Sequence, residues 1–104
     1  MKSTYSKDKA ARATQQRRRW TLEETQEAYV LYLEFLEAQQ AGVRYVKAPL
    51  VRELALELNR STGSVEAKMM NFSGVRQANH MEWVKGYKPL SNFARADRLV
   101  VMGE

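Results

Sequence analysis

The stretch Asn59-Arg60-Ser61-Thr62-Gly63-Ser64-Val65-Glu66-Ala67-Lys68-Met69-Met70-Asn71-Phe72 decides how the chain is read. Its first residues are polar and include a glycine, the composition of a tight turn, and the rest has the spacing of a short helix. Val65, Met69 and Phe72 recur at i, i+4 and i+7, so they share one face and predict its inward side. Ser64, Lys68 and Asn71 fall on another face. A hydroxyl, a cation and an amide are the groups that contact phosphates and base edges when a helix docks on DNA, so this face predicts a recognition helix over about 64–72. The competing reading of the same residues is an amphipathic helix with a solvated polar side.

Outward from this stretch the chain reads as helices. Pro49 suits a first helical position, and Leu50, Val51, Leu54, Ala55 and Leu58 give one buried stripe that ends near Asn59. A connection over 60–63 then makes a helix-turn-helix outline. Further back, Thr21 and Glu24 have capping-box spacing, which predicts a first helix over 22 to about 40. Ala28, Tyr29, Tyr32, Phe35 and Leu36 line its inner face, with Glu23, Glu27, Glu34 and Glu37 outside and Gly42 as the C-terminal cap. Beyond Phe72, Ser73 and Gly74 predict a helix end. A structured loop over 75–89 holds Met81, Trp83, Val84 and Tyr87, and a last helix capped by Ser91 or Asn92 runs to about Met102. Phe93, Ala96, Leu99 and Val100 are expected to seal the core. The fold class is all-α, a compact three- to four-helix domain over 20–104.

A chain of 104 residues holds one such core, burying on the order of 60% of its unfolded surface. The absence of cysteine excludes disulfides and thiolate metal sites. The N-terminus offers neither an apolar signal core nor a membrane span, so the expectation is a cytoplasmic protein with no membrane role, nucleoid-associated in a bacterium or in the host cytoplasm for a phage. The formal charge of +5 is unevenly spread. Residues 1–19 carry seven Lys or Arg against one Asp, residues 20–40 carry five Glu and no base, and the remainder has ten bases and six acids. A disordered basic arm over 1–19, followed by an acidic first helix, suggests a nucleic-acid partner.

The candidate DNA-binding residues are therefore Arg17, Arg18 and Arg19 on the arm, Arg60, Ser61, Thr62 and Ser64 at the helix start, and Lys68 and Asn71 along the helix. Exposed amides and hydroxyls at a helix start bind a phosphate, Lys68 adds a phosphate or guanine contact, and Asn71 pairs with adenine if it faces a base edge. Trp20 precedes the cap and is expected in the core as a hydrophobic staple. Tyr45, Trp83 and Tyr87 form either a stacking platform or ordinary core. His80 is an expected exposed loop residue, and Glu82 and Asp97 are isolated acids without a partner for acid–base chemistry. No catalytic residue, metal site or cofactor is expected.

Arg-Trp-Thr-x-Glu-Glu at 19–24, Pro49 with its Leu-rich helix, Asn-Arg-Ser-x-x-Ser-Val-x-x-Lys-x-x-Asn-Phe at 59–72, Leu-Ser-Asn at 90–92 and Asp-Arg at 97–98 come in an order that resembles the small helical domain ahead of HNH nuclease modules in bacterial restriction-type endonucleases. The opening Trp-Thr-x-Glu-Glu also resembles Myb and SANT domains, which end in a DNA-reading helix. The resemblance implies a Myb-like helical module that engages duplex DNA, with Lys68 and Asn71 in its DNA-facing run. It does not imply cleavage: the HNH module uses several histidines, and this chain has His80 alone. The alternative is a protein-interaction module, such as a phage-encoded inhibitor or accessory subunit of a host nuclease or defence protein, that presents Tyr45, Trp83 and Tyr87.

Overall fold

A computed structural model describes residues 19–103 as four helices: α1 (Leu22–Ala41), α2 (Ala48–Leu58), α3 (Thr62–Ala78) and α4 (Arg95–Met102). No strand occurs among the described residues. The fold is all-helical and compact, and α3 packs against each of the other three helices. The disordered arm expected over 1–19 falls, except for Arg19, outside the described residues.

Local chemistry sets most of the boundaries. The Thr21 hydroxyl accepts from the Glu24 backbone N–H at 3.1 Å while the Glu24 carboxylate accepts from Thr21 N–H at 3.0 Å, the reciprocal capping box that the spacing predicts. Gly42 ends α1 in the left-handed conformation, with φ +71°. Asn59 does the same for α2 at φ +58°, a conformation that Asn tolerates better than most side chains. The connection is then three residues, 59–61, because Ser61 rather than a later residue caps α3: its hydroxyl accepts from Ser64 N–H at 3.1 Å. Thr62 and Gly63 are consequently inside the helix, where the sequence suggests a turn.

The core is aromatic. Tyr29, Tyr32 and Phe72 meet with ring centroids 5.0 to 5.8 Å apart, and Tyr32 and Phe35 reach on to Tyr87. Val65, Met69 and Phe72 are fully buried, as their spacing predicts. Leu50 is a correction to the expected α2 stripe: Val51, Leu54, Ala55 and Leu58 turn inward, but Leu50 stays 39% exposed on the flank that α1 leaves uncovered.

A larger correction concerns the end of α3. The helix continues through Ser73 and Gly74 to Ala78, because tertiary contacts outweigh local propensity. Ser73 Oγ lies 2.8 Å from the Tyr32 hydroxyl, in the core. Gly74 is where the returning chain crosses the helix, and a Cβ there would come within 1.8 Å of the Leu90 carbonyl oxygen. Glycine serves close approach at this position, not helix termination.

The loop after α3 is pinned by buried polar groups. The Tyr32 hydroxyl accepts from Val84 N–H at 2.9 Å, and Arg76 donates to the Tyr29 hydroxyl and to the Glu82 carbonyl. Val84 and Tyr87 are thereby drawn into the core. The last helix starts at Arg95, later than a Ser91 or Asn92 cap would place it, because the Asp97 carboxylate reaches back to Ala94 N–H at 2.9 Å. Val100 and Val101 pack on the core from α4, whereas Leu99 is 37% exposed.

Candidate nucleic-acid interface

The start of α3 is open to solvent along a narrow strip. Thr62, Gly63 and Ala67 are exposed, and Ser61, Ser64 and Asn71 are half-buried beside Trp20. Ser61, Gly63, Ser64, Ala67 and Asn71 line a shallow groove with Trp20 and Lys68. Trp20 fixes its near wall by donating its indole N–H to Ser64 Oγ at 3.3 Å. The indole ring sits between two cations, with the Arg60 guanidinium 4.4 Å and the Lys68 ammonium 4.9 Å from its centroid. Trp20 is thus packed against the core, as expected of a staple, and also organises charge.

Those two cations are not available in the way the sequence suggests. Lys68 is buried, and its ammonium donates to the fully buried Asp97 carboxylate at 2.6 Å. Asp97 is therefore not an isolated acid: α4 brings it onto the side of Lys68 that faces the fold, where a charge-assisted hydrogen bond holds both groups. The expectation that Lys68 reaches a phosphate or a guanine gives way to a structural role. Arg60 is likewise buried, and its Nη2 donates to the Arg19 carbonyl at 2.8 Å and to Glu24 Oε1 at 2.9 Å. It ties the chain ahead of α1 to the α2–α3 turn and does not point at a partner.

Of the remaining expected residues, Ser61, Ser64 and Asn71 are brought together on the open strip, Thr62 is exposed but does not line it, and Arg19 is exposed with its backbone fixed by Arg60. Arg17 and Arg18 lie outside the described residues. Two cations of α4 that the helix-start pattern does not mark, Arg95 and Arg98, are exposed and bracket Asp97 in sequence. Their i, i+3 spacing puts them on one side of that helix, which is the signal that identifies them.

Of the two readings of the aromatic side chains, ordinary core holds for Tyr45 and Tyr87. Tyr87 is buried, and Tyr45 stacks on Phe35 with centroids 5.7 Å apart. Trp83 is half-buried, and its carbonyl accepts from Gln39. These rings fill the fold because the loop after α3 folds inward. Burial raises the Tyr87 hydroxyl to about 12, with Glu66 adding to the effect, and burial also raises that of Tyr32 against the opposing hydrogen bond from Ser73. Hydrogen bonds from Gln39 and Gln40 lower Glu82, tying the loop to the end of α1.

Among the described residues no three His, Asp or Glu side chains lie close enough to share a metal ion. None of the described helices is long and apolar enough to cross a membrane. Compared with protein families, with characterised proteins and with solved structures, the chain matches none.

Proposed function

We propose that the protein is a small non-catalytic DNA-binding protein of bacterial or phage origin that holds duplex DNA with its basic N-terminal arm and the open start of α3. The observation that carries this reading is the clasp at the root of the arm. Arg60 fixes the Arg19 carbonyl and Trp20 caps Ser64, so a segment with seven bases leaves the fold beside the first turn of α3. The arm supplies phosphate contacts, which are strong in sum and indifferent to sequence. Ser61, Gly63, Ser64, Ala67 and Asn71 form a small, polar surface on which a sugar-phosphate backbone or a base edge approaches closely, with the Asn71 amide suited to adenine. Arg95 and Arg98 extend the positive charge from α4. A recognition role for Lys68 forms no part of this reading; its work is to hold α3 against α4.

Fluorescence anisotropy with a labelled duplex, measured at two salt concentrations, tests it. Replacing Arg17, Arg18 and Arg19 by Ala is expected to lower the salt slope by up to about 0.9 for each lost phosphate contact. Asn71→Ala is expected to weaken binding at both salts while leaving the thermal midpoint in place. Affinity that ignores both salt and the arm variant overturns the proposal.

A further inference from the structure

A second groove, between α1 and α2, shares no residue with the strip beside Trp20. Its rim carries Glu27, Glu34, Glu53 and Glu57 and no Lys or Arg, and none of the four forms an ion pair with another described residue. Its floor is aliphatic, and two of its residues remain open, Val30 at 59% and Leu50 at 39% exposure. The groove brings the two features together, whereas Lys68 with Asp97 and Arg60 with Glu24 form ion pairs inside the fold. A groove with four unpaired carboxylates and an apolar floor fits a cationic segment with a few apolar groups.

We propose that this groove is the docking surface for the protein's own N-terminal segment, residues 1–18. That segment carries six Lys or Arg and one Asp, a side-chain charge of +5 against the −4 of the groove rim. The point of attachment is adjacent. Arg60 holds both the Arg19 carbonyl and Glu24; Glu27 lies one helical turn beyond Glu24, and Glu57 lies three residues before Arg60. The groove mouth thus opens beside the residue from which the arm departs. Reach does not limit the contact, since eighteen residues span up to about 60 Å and the Glu27-to-Glu34 rim is roughly 10 Å long. Tyr5, the only aromatic of the segment, is the side chain of a size to cover the Val30–Leu50 floor. The cations that serve DNA in the proposed function are the same ones that the groove holds, so the groove and DNA compete for one arm.

The full-length chain tests this directly because it has no cysteine, so Ser6→Cys takes a single paramagnetic label. The expected result is broadening of backbone amides along Val30–Glu34 and Leu50–Glu57 at low salt. That broadening is lost at about 1 M salt, where the screening length falls to roughly 3 Å. Glu27→Gln with Glu57→Gln is expected to abolish it, whereas Glu37→Gln with Glu66→Gln, an equal change of charge elsewhere, leaves it in place. Broadening that is absent, or that persists in the groove variant, overturns the proposal. Broadening seen only between labelled and isotope-enriched molecules in a mixture also overturns it, since the groove would then hold the arm of a second copy. Adding duplex DNA separates the two readings: a failure of DNA binding leaves the broadening unchanged, and a failure of docking leaves the anisotropy titration as it was.

Discussion

The Trp20 clasp and the α1–α2 groove treat charge in opposite ways. In the clasp, two cations and two carboxylates are withdrawn from water, paired at 2.6 to 2.9 Å and covered by an indole ring. In the groove, four carboxylates stand exposed with no cation among the described residues beside them. The first arrangement is structure, because breaking a buried pair strands a charge in a poor solvent. The second contributes little to folding and leaves its field directed outward, where a partner can use it. Charged residues with the same appearance in sequence thus divide into those that hold the helices together and those that face outward.

The contrast breaks first at Lys68. Lys68→Ala is expected to cost about 3–5 kcal/mol in a denaturant titration, because Asp97 would be left buried and unpaired. Replacing both partners with Lys68→Met and Asp97→Leu should recover most of that loss. A small effect from the single substitution would show that the pair behaves like a surface one.

Gly74→Ala comes next. Its new Cβ meets backbone atoms of Leu90, which cannot swing aside as a side chain does, and overpacking of this sort costs typically 1–3 kcal/mol. Thermal melts would register it, and the loop over 81–90 should lose amide protection first.

Tyr32→Phe removes the acceptor of Val84 N–H and the partner of Ser73, for about 1–3 kcal/mol by the same measurement. The buried tyrosines also set an alkaline limit. The Tyr87 hydroxyl ionises in the folded chain only near 12, whereas in the unfolded chain it does so near 10. The unfolded state therefore releases this proton first, and the stability that the buried neutral phenol contributes is complete below pH 10 and lost as pH rises from about 10 to 12. Tyrosinate absorbance followed with pH should show Tyr87 titrating last or only with unfolding.

The smallest effect belongs to the groove. Glu27→Gln and Glu57→Gln are expected to move stability by no more than about 0.5 kcal/mol. A large loss there would place these carboxylates with the clasp after all.

Much of the fold is legible from local rules. The Thr21–Glu24 box, the left-handed caps at Gly42 and Asn59, and the Val65, Met69 and Phe72 stripe each depend on residues within two helical turns. What the sequence hides is non-local. Lys68 meets Asp97 across twenty-nine positions, and Arg60 meets Glu24 across thirty-six, so neither is marked as structural by its neighbours. Gly74 reads as a helix breaker until Leu90 crosses it, and Leu50 reads as core until α1 is seen to leave its flank open. The candidate site follows the same division. The hydroxyls and amide of its open strip belong to one helix and its cap and are legible together, while Lys68 and Arg60 take their roles from Asp97 and Glu24 on other elements.

The fixed carbonyl of Arg19 makes the arm a tethered ligand. Everything before that residue is joined covalently to a point between the start of α3 and the mouth of the acidic groove. Tethers of this length present their cargo at an effective concentration in the millimolar range, independent of how much protein is in solution. With the docking proposed above, a free polycation of equal strength would have to reach that level to compete with the arm for the groove.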